Sequence, residues 1–203
     1  STFSRYRNFI KPDTWKEIGK SGEGLIYNLG SHVIDQALQL FGMPEAIFAD
    51  IATLRSNGNV DDYFIIHLLH PANAPEVKIT LKSSYLMCEA EPRFVLHGTE
   101  GSYIKYGVDR QESDLTTGLI PYSPHWGEED ESLWGQLHTE RDGTVIKGKY
   151  PSVPGNYGDF YNNIFLHLRC NGILLSDAEG TLPVIQLIEA AIKSSREQTV
   201  IKL

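Results

Sequence analysis

Apolar residues recur every three or four positions in three segments of the chain, a pattern that predicts three helices. The first segment runs from Leu29 to Phe41 and ends at Gly42. The second covers residues 156–170. The third follows Ser176, which opens a capping-box pattern. Its expected apolar stripe consists of Leu182, Ile185, Ile188 and Ile192.

The sequence allows two possible starting points for the first helix and two for the third. Asn28 and Ser31 are both favourable N-cap residues, so Asn28 lies either on the first helix or just before it. Pro183 falls inside the third segment. It either kinks that helix or moves the start of the main helix to about Leu182, with Ser176 capping a separate turn.

Elsewhere the apolar period is two, which predicts strands. Turn formers separate the strand-length runs "EAIFADIATL", "DYFIIHLLH", "EVKITLKSSYLM" and "RFVLHGTEGSYIKY", and a later hairpin is expected around "ERDG". Short connections without a helix require antiparallel pairing. The sequence therefore predicts a single α+β domain over residues 1–203, with an open, mostly antiparallel β-sheet and helices packed on one face.

The composition narrows the class of protein. The 203 residues carry a formal net charge of −8 and no lysine or arginine run, which argues against a nucleic-acid partner. No apolar stretch reaches the roughly 18 residues needed to span a membrane, and no signal peptide is recognisable. We therefore expect a soluble cytoplasmic protein. The chain begins "STFSRYR" without an initiator methionine, so we expect that part of a longer parent is missing.

The segment "LIYNLGSHVID" places three polar side chains on the first predicted helix. Asn28, His32 and Asp35 are spaced i, i+4 and i+7, so they line one helical face. A histidine on an apolar helix is commonly a packing residue. Near a helix start, however, an imidazole with an amide and a carboxylate beside it is a plausible proton carrier.

These residues also carry a resemblance to a known family. "GEGLIYNLGSHVIDQALQLFG" resembles the signature of the C-terminal domain of the glucose-fructose oxidoreductase, inositol dehydrogenase and MocA-like (Gfo/Idh/MocA) NAD(P)-dependent oxidoreductases. In that signature, DxGxHxxD lies on a helix. Gly30, His32 and Asp35 match it, whereas Asn28 replaces the first aspartate. The resemblance continues through "PRFVLHGTEGSYIKYG" and "VIQLIEAAIKSSREQTVIKL", so it covers nearly the whole chain.

The resemblance implies a dihydrodipicolinate reductase-like C-terminal domain whose N-terminal Rossmann domain is absent from this chain. That missing domain would bind NAD or NADP and carry a catalytic lysine, so this chain itself would hold no cofactor. In the parent, hydride would pass between a sugar, cyclitol or related polyol and the nicotinamide, while His32 exchanges the hydroxyl proton. Asn28 can orient the substrate or the imidazole but cannot take a proton at neutral pH.

Other residues are further candidates. Asp35 is expected to be a supporting or structural residue, and the resemblance places Arg5 and Tyr6 at the pocket rim. It also places Tyr157 in a region that faces the pocket, where a tyrosine is equally often a buried anchor. Trp126 either covers a sugar ring or belongs to an interface or lid.

Two other patterns are weak. The glycines of "GKSGEG" follow a loop and do not open a βαβ unit, so they do not predict a phosphate cradle. His67 and His70 are three residues apart on a predicted strand and would point to opposite faces, which argues against a shared metal site.

Two functions from different classes remain. The first is the substrate and oligomerisation half of a dehydrogenase, which forms a homodimer through the open sheet. The second is a non-catalytic binding or dimerisation module of the same fold, in which Asn28 marks lost catalysis.

Overall fold

The computed structural model describes residues 1–10, 14–70 and 77–203. A 3-10 turn at Trp15–Glu17 and a π-helical turn at Ile26–Gly30 precede the first α-helix. The α-helices are α1 (Ser31–Phe41), α2 (Gln111–Thr116), α3 (Tyr157–Cys170) and α4 (Ala178–Glu197). The strands are β1 (Ala46–Ala52), β2 (Tyr63–Leu69), β3 (Lys78–Ser84), β4 (Phe94–Gly98), β5 (Gly101–Lys105), β6 (Gly135–Arg141), β7 (Thr144–Tyr150) and β8 (Ile201–Lys202).

The α+β class and the antiparallel pairing predicted from the sequence are confirmed, but the strands form two sheets and not one. The first sheet has the order β3-β2-β1-β8 and the second has the order β4-β5-β6-β7. The chain correspondingly divides into two compact units. The first comprises residues 1–90 and 178–203, and the second comprises residues 91–177.

The N-terminal segment explains why β4 does not extend the first sheet. It runs parallel to the outer edge of β3, where Phe3 N–H donates to Lys82 C=O and Lys82 N–H donates to Ser1 C=O. Arg7 N–H then donates to Tyr85 C=O, 2.7 Å away. Because this segment takes the hydrogen-bonding edge of β3, β4 pairs instead with β5 in a new sheet.

In the first unit, α1 and α4 cover one face of the sheet, whereas α3, the other long predicted helix, belongs to the second unit. The buried core joins the inward residues of the strands to the apolar faces of both helices. The predicted stripe of α4 is only partly right, because Leu182 and Ile185 are exposed. A single helix runs through Pro183, without a new start at Leu182. The buried residues of α4 are Val184, Leu187, Ile188, Ala191 and Ser194.

Ser194 of α4 continues the hydrogen bonding of β1 beyond its short partner strand. β8 pairs with β1 only at Ala46 and Ile47. Farther along β1, Ala49 N–H donates to Ser194 Oγ at 3.0 Å, and Ser194 Oγ donates to Thr199 C=O at 2.6 Å. A side chain thus takes the place of a missing strand residue, which satisfies buried backbone groups.

The second unit is a four-stranded meander with α2 and α3. Its β6–β7 hairpin turns at Asp142 and Gly143, both of which have positive φ angles, as a type I′ turn requires. The hairpin predicted around "ERDG" is therefore confirmed. On α3, Phe160 and Leu168, two of the apolar residues whose spacing predicted this helix, are exposed in this chain.

We expect Ser194→Ala to lower the free energy of unfolding by about 1–3 kcal/mol, because it leaves a buried amide and a carbonyl unpaired. Urea unfolding of the chain measures this change. Ser21→Ala, at an exposed position, serves as the control and should change stability by less than about 0.5 kcal/mol. Equal effects of the two substitutions would contradict this role of Ser194.

Candidate functional site

The candidate site begins where the first helix starts, and Asp61 sets that start. The backbone N–H of Leu25 donates to Asp61 C=O, and that of Ile26 donates to the Asp61 carboxylate at 2.7 Å. Asn28 N–H already donates to Gly24 C=O, so Asn28 lies on the helix. Neither Asn28 nor Ser31 is the N-cap, because the carboxylate from the β1–β2 connection satisfies the first free N–H groups.

Gly24 makes this arrangement possible. Its φ angle is +96°, and a Cβ atom there would lie 2.0 Å from an Asp61 carboxylate oxygen. Only glycine accommodates both the backbone conformation and the close approach of the acid.

The predicted polar face is present, with different degrees of exposure along it. Asn28 is half-buried, whereas His32 and Asp35 are exposed. The Asp35 side chain accepts no hydrogen bond from His32 and bonds to no other described residue. Asp35 is exposed, so its carboxylate does not need a protein partner.

Asn28 is held by two residues that are distant in sequence. Lys16 Nζ lies 3.1 Å from Asn28 Oδ1, and Asn28 Nδ2 lies 3.2 Å from the hydroxyl oxygen of Tyr85. Lysine can only donate, so the amide oxygen must face Lys16 and the amide N–H₂ must face Tyr85. The orientation of the amide is thus fixed.

The N-terminal segment forms one wall of the site. The Phe3 ring meets the His32 ring edge to face, with the centroids 5.6 Å apart. The Arg5 guanidinium lies 5.7 Å from the centre of the Phe3 ring, and Tyr6 is 53% exposed. The structure therefore places Arg5 next to the aromatic partner of His32.

A buried ion cluster lies beneath this wall. Arg55 donates to both carboxylate oxygens of Glu17 at 3.0 and 3.1 Å, and its Nε donates to Asp62 at 2.8 Å. Arg7 approaches the same Glu17 at 2.8 Å. The guanidinium carbons of Arg7 and Arg55 lie 4.3 and 4.9 Å from the centre of the Tyr85 ring. Cation–π contacts thus join the cluster to the residue that holds Asn28.

Trp126 and Tyr157, also predicted as site residues, belong to the second unit and share one buried amide there. Trp126 is 7% exposed and its indole N–H donates to Gln111 Oε1 at 2.8 Å. The Tyr157 backbone N–H donates to the same oxygen at 2.6 Å. Burial, with the nearby Asp109 and Glu112 carboxylates, raises the pKa of the Tyr157 phenol. Trp126 is therefore a packing residue of its loop, whereas the Tyr157 side chain is 40% exposed.

A separate cleft of about 580 Å³ opens beside the helix start and includes neither Asn28 nor His32. Tyr27 and Asp61 line it, together with Glu189 of α4. Burial, then the hydrogen bond to Glu189, raises the pKa of Tyr27 to about 12. Burial also raises the pKa of Asp61 to about 6, against the opposing effect of its bonds to backbone N–H groups.

The glycine-rich loop at residues 19–24 does not fit a nucleotide phosphate. The N–H groups of Gly19 and Lys20 both donate to the Glu23 carboxylate, at 2.6 and 2.8 Å. A pyrophosphate would need those donors and would meet a negative charge in their place. We therefore assign no part of a dinucleotide site to this loop.

The described residues also contain no group of three or more His, Cys, Asp or Glu side chains that could hold a metal ion. His67 contacts Thr80, and His70 contacts the Gly42 carbonyl. No helix in the described part of the chain is both long and apolar enough to cross a membrane.

Sequence reasoning missed Lys16, Tyr85 and Asp61. They contact the helix start across 12, 57 and 35 residues of chain, respectively, so no local period connects them to it. The one signal available for Asp61 was an Asp-Asp pair directly before an apolar strand. Lys16 and Tyr85 gave no such signal.

The whole chain matches a known protein family. The family model described as "Oxidoreductase family, C-terminal alpha/beta domain" matches residues 1–203. The scyllo-inositol 2-dehydrogenase (NADP(+)) IolW of Bacillus subtilis is 36% identical over 202 residues. That match covers 100% of this chain and 55% of IolW, so the chain spans about half the length of this curated relative.

Solved structures share the fold. A protein from Bacteroides fragilis has 61% sequence identity and a TM-score of 0.88, with 100% of this chain and 56% of that chain covered. An oxidoreductase from Bacillus cereus has 32% identity and a TM-score of 0.83, with 100% and 58% covered. In both, the match to this chain occupies little more than half of the solved chain.

We expect Glu17→Gln to destabilise the chain by about 3 kcal/mol, because Arg55 and Arg7 then lose a buried counter-charge. Chemical denaturation measures the loss. Glu140→Gln, on an exposed position of β6, is the matched control and should be close to neutral. A loss below about 1 kcal/mol for Glu17→Gln would contradict the importance of the cluster.

The raised pKa of Asp61 should make the stability of the chain depend on pH. Its folded pKa of about 6 lies above the ordinary value of 3.8, so the folded state binds its proton more tightly. The resulting stabilisation is complete below about pH 4 and is lost as the pH rises through 6. Asp61→Asn keeps the acceptor for Ile26 but does not titrate.

The variant should therefore gain stability relative to the wild type by roughly 3 kcal/mol between pH 3 and pH 7. Urea unfolding at several pH values measures this difference. A difference that stays constant with pH would show that the Asp61 carboxyl titrates normally.

Proposed function

The chain belongs to the Gfo/Idh/MocA oxidoreductase family, as its C-terminal α/β domain, and on that premise we propose that it is the substrate-binding half of an NAD(P)-dependent oxidoreductase. The substrate class is a sugar, cyclitol or related polyol. The similarity to a scyllo-inositol dehydrogenase supports this class, since that protein is named for a cyclitol and for NADP(+).

His32 carries the proposal. Its imidazole is exposed, lies one helical turn after Asn28 and packs edge to face against Phe3. An exposed imidazole that packs against an aromatic ring can exchange a proton with an alcohol at neutral pH. We therefore assign His32 as the residue that takes the proton of the reacting hydroxyl during oxidation and returns it during reduction.

Asn28 has a positioning role. Its amide is held between Lys16 and Tyr85, so it offers a fixed dipole and no exchangeable acid. In the proposed reaction Asn28 orients the polyol or the imidazole, and His32 alone among the residues of this polar face moves the proton.

The nicotinamide would be bound by another part of the parent protein and would supply the hydride chemistry, because the glycine-rich loop of this chain does not accommodate a pyrophosphate. The residues of this chain bind the polyol, orient its hydroxyl and move its proton. Arg5 and Tyr6 contact the polyol at the rim, and Asp35 supports the helix surface near His32.

We also propose that the parent forms a homodimer through the open face of the first sheet. Phe48 of β1 stacks on His67 of β2 at this face, with a ring distance of 6.4 Å. Ile65 and Tyr63 of β2 are half-buried on the same side. No helix in the described part of the first unit covers this mixed apolar and polar face, which supports an isologous contact.

His32→Ala in the full-length protein should lower kcat/KM for polyol oxidation by about 100-fold or more, because a general acid–base group contributes at least that much. Steady-state kinetics with a panel of sugars and cyclitols and either nicotinamide cofactor measures the effect. His138→Ala is the control, since the His138 side chain is exposed on β6 and makes no hydrogen bond to a described residue.

The unfolding midpoint of His32→Ala should stay close to that of the wild type, since the ring is exposed. If the variant keeps polyol turnover within a few-fold of the wild type, the catalytic assignment is wrong and the non-catalytic binding module becomes the better account.

A further inference from the structure

Tyr85 is the feature of the site that the proposed reaction leaves unexplained. It follows the last residue of β3 and is only 4% exposed. Its backbone N–H donates to Asp62 C=O, and its C=O accepts from Arg7 N–H. Its ring lies near two guanidinium groups, so the side chain cannot move without disturbing the ion cluster.

The direction of the hydrogen bonds determines what the Tyr85 hydroxyl can do. Lys16 has only donors, so it fixes the Asn28 amide with its oxygen toward Lys16 and its N–H₂ toward Tyr85. The Tyr85 oxygen therefore accepts the hydrogen bond from Asn28. Its own proton remains to be donated elsewhere.

No acceptor for that proton is found among residues 1–10, 14–70 and 77–203. Asn28 Nδ2 is the only described side-chain or backbone group that bonds to the Tyr85 hydroxyl. A nearly buried tyrosine normally donates its hydroxyl proton to a partner, and an unused donor in such a place costs about 1–3 kcal/mol. A bound ligand would supply the missing acceptor.

We propose that the Tyr85 hydroxyl donates its proton to an oxygen of the bound polyol, and that Lys16 is a positioning residue that keeps this hydrogen available by fixing the Asn28 amide. This assignment rests on the proposed function, because it places the polyol against Asn28 and Tyr85 as well as His32. The acceptor is a hydroxyl or carbonyl oxygen of the substrate, and no covalent step involves Tyr85.

The contact between the Tyr85 hydroxyl and the polyol should also contribute to substrate specificity. A site with a buried unused donor rejects analogues that lack the matching acceptor, because the donor then stays unpaired. The site should therefore discriminate between a polyol and the deoxy derivative that lacks the oxygen facing Tyr85.

The test uses Tyr85→Phe in the full-length protein, with the best polyol substrate and its set of single-deoxy derivatives. The wild type should show about tenfold lower kcat/KM for one of these derivatives than for the polyol, as expected for one lost hydrogen bond. Tyr85→Phe should lower kcat/KM for the polyol about tenfold. For that one derivative, the variant and the wild type should have the same kcat/KM.

Tyr150→Phe is the matched control, since Tyr150 is exposed at the end of β7, and it should retain the wild-type pattern. Lys16→Met should weaken the discrimination against the same derivative, and Lys16→Arg, which retains the donor, should restore it. A purely structural role of Lys16 would lower activity equally on all derivatives.

An unchanged discrimination pattern in Tyr85→Phe overturns the inference, as does a uniform loss on the polyol and every derivative. His32→Ala separates this outcome from failure of the proposed function. If His32→Ala loses activity and Tyr85→Phe does not, only the Tyr85 contact is wrong. If His32→Ala retains activity, the proposed function itself fails.

Discussion

The buried guanidinium of Arg55 joins parts of the first unit that are far apart in the sequence. It binds Glu17 of the 3-10 turn, Asp62 at the start of β2 and the carbonyl of Phe9 in the N-terminal segment. A buried charge set of this kind gives modest net stability, but removing one partner leaves the others uncompensated. The cluster therefore works as a geometric constraint. It holds Tyr85 against Asn28, and it holds the N-terminal segment beside the helix that carries His32.

Much of the fold was accessible from the sequence because the hydrophobic period is a local property. The helix ending at Phe41, the alternating strands and the hairpin at Asp142 all follow from spacing and turn chemistry. The division into two sheets was not accessible, because it depends on a long-range choice. Segment 1–7 occupies the edge of β3. No local pattern in that segment or in β3 predicts this pairing.

In the candidate site, too, some residues could be identified from the sequence and others could not. Asn28 and His32 were identified from their spacing and from the family resemblance, and they lie on one polar face of the helix. Lys16 and Tyr85 were missed, because a lysine in a loop and a tyrosine after a strand look ordinary in sequence. Their importance is visible only when the hydrogen bonds are assigned a direction. The replacement of the family's aspartate by Asn28 then has a physical meaning: a carboxylate could not donate to Tyr85, whereas an amide both accepts from Lys16 and donates onward.

We propose that the His32 imidazole lies at the point where the polyol binds. Nitrogen-15 NMR of the histidine side chains in the full-length protein, titrated in the presence of the cofactor with a polyol that the enzyme turns over, tests this proposal. The His32 ring nitrogens should shift and saturate with the substrate, while those of the exposed His138 stay constant. Turnover of the polyol with no change at the His32 nitrogens would contradict it.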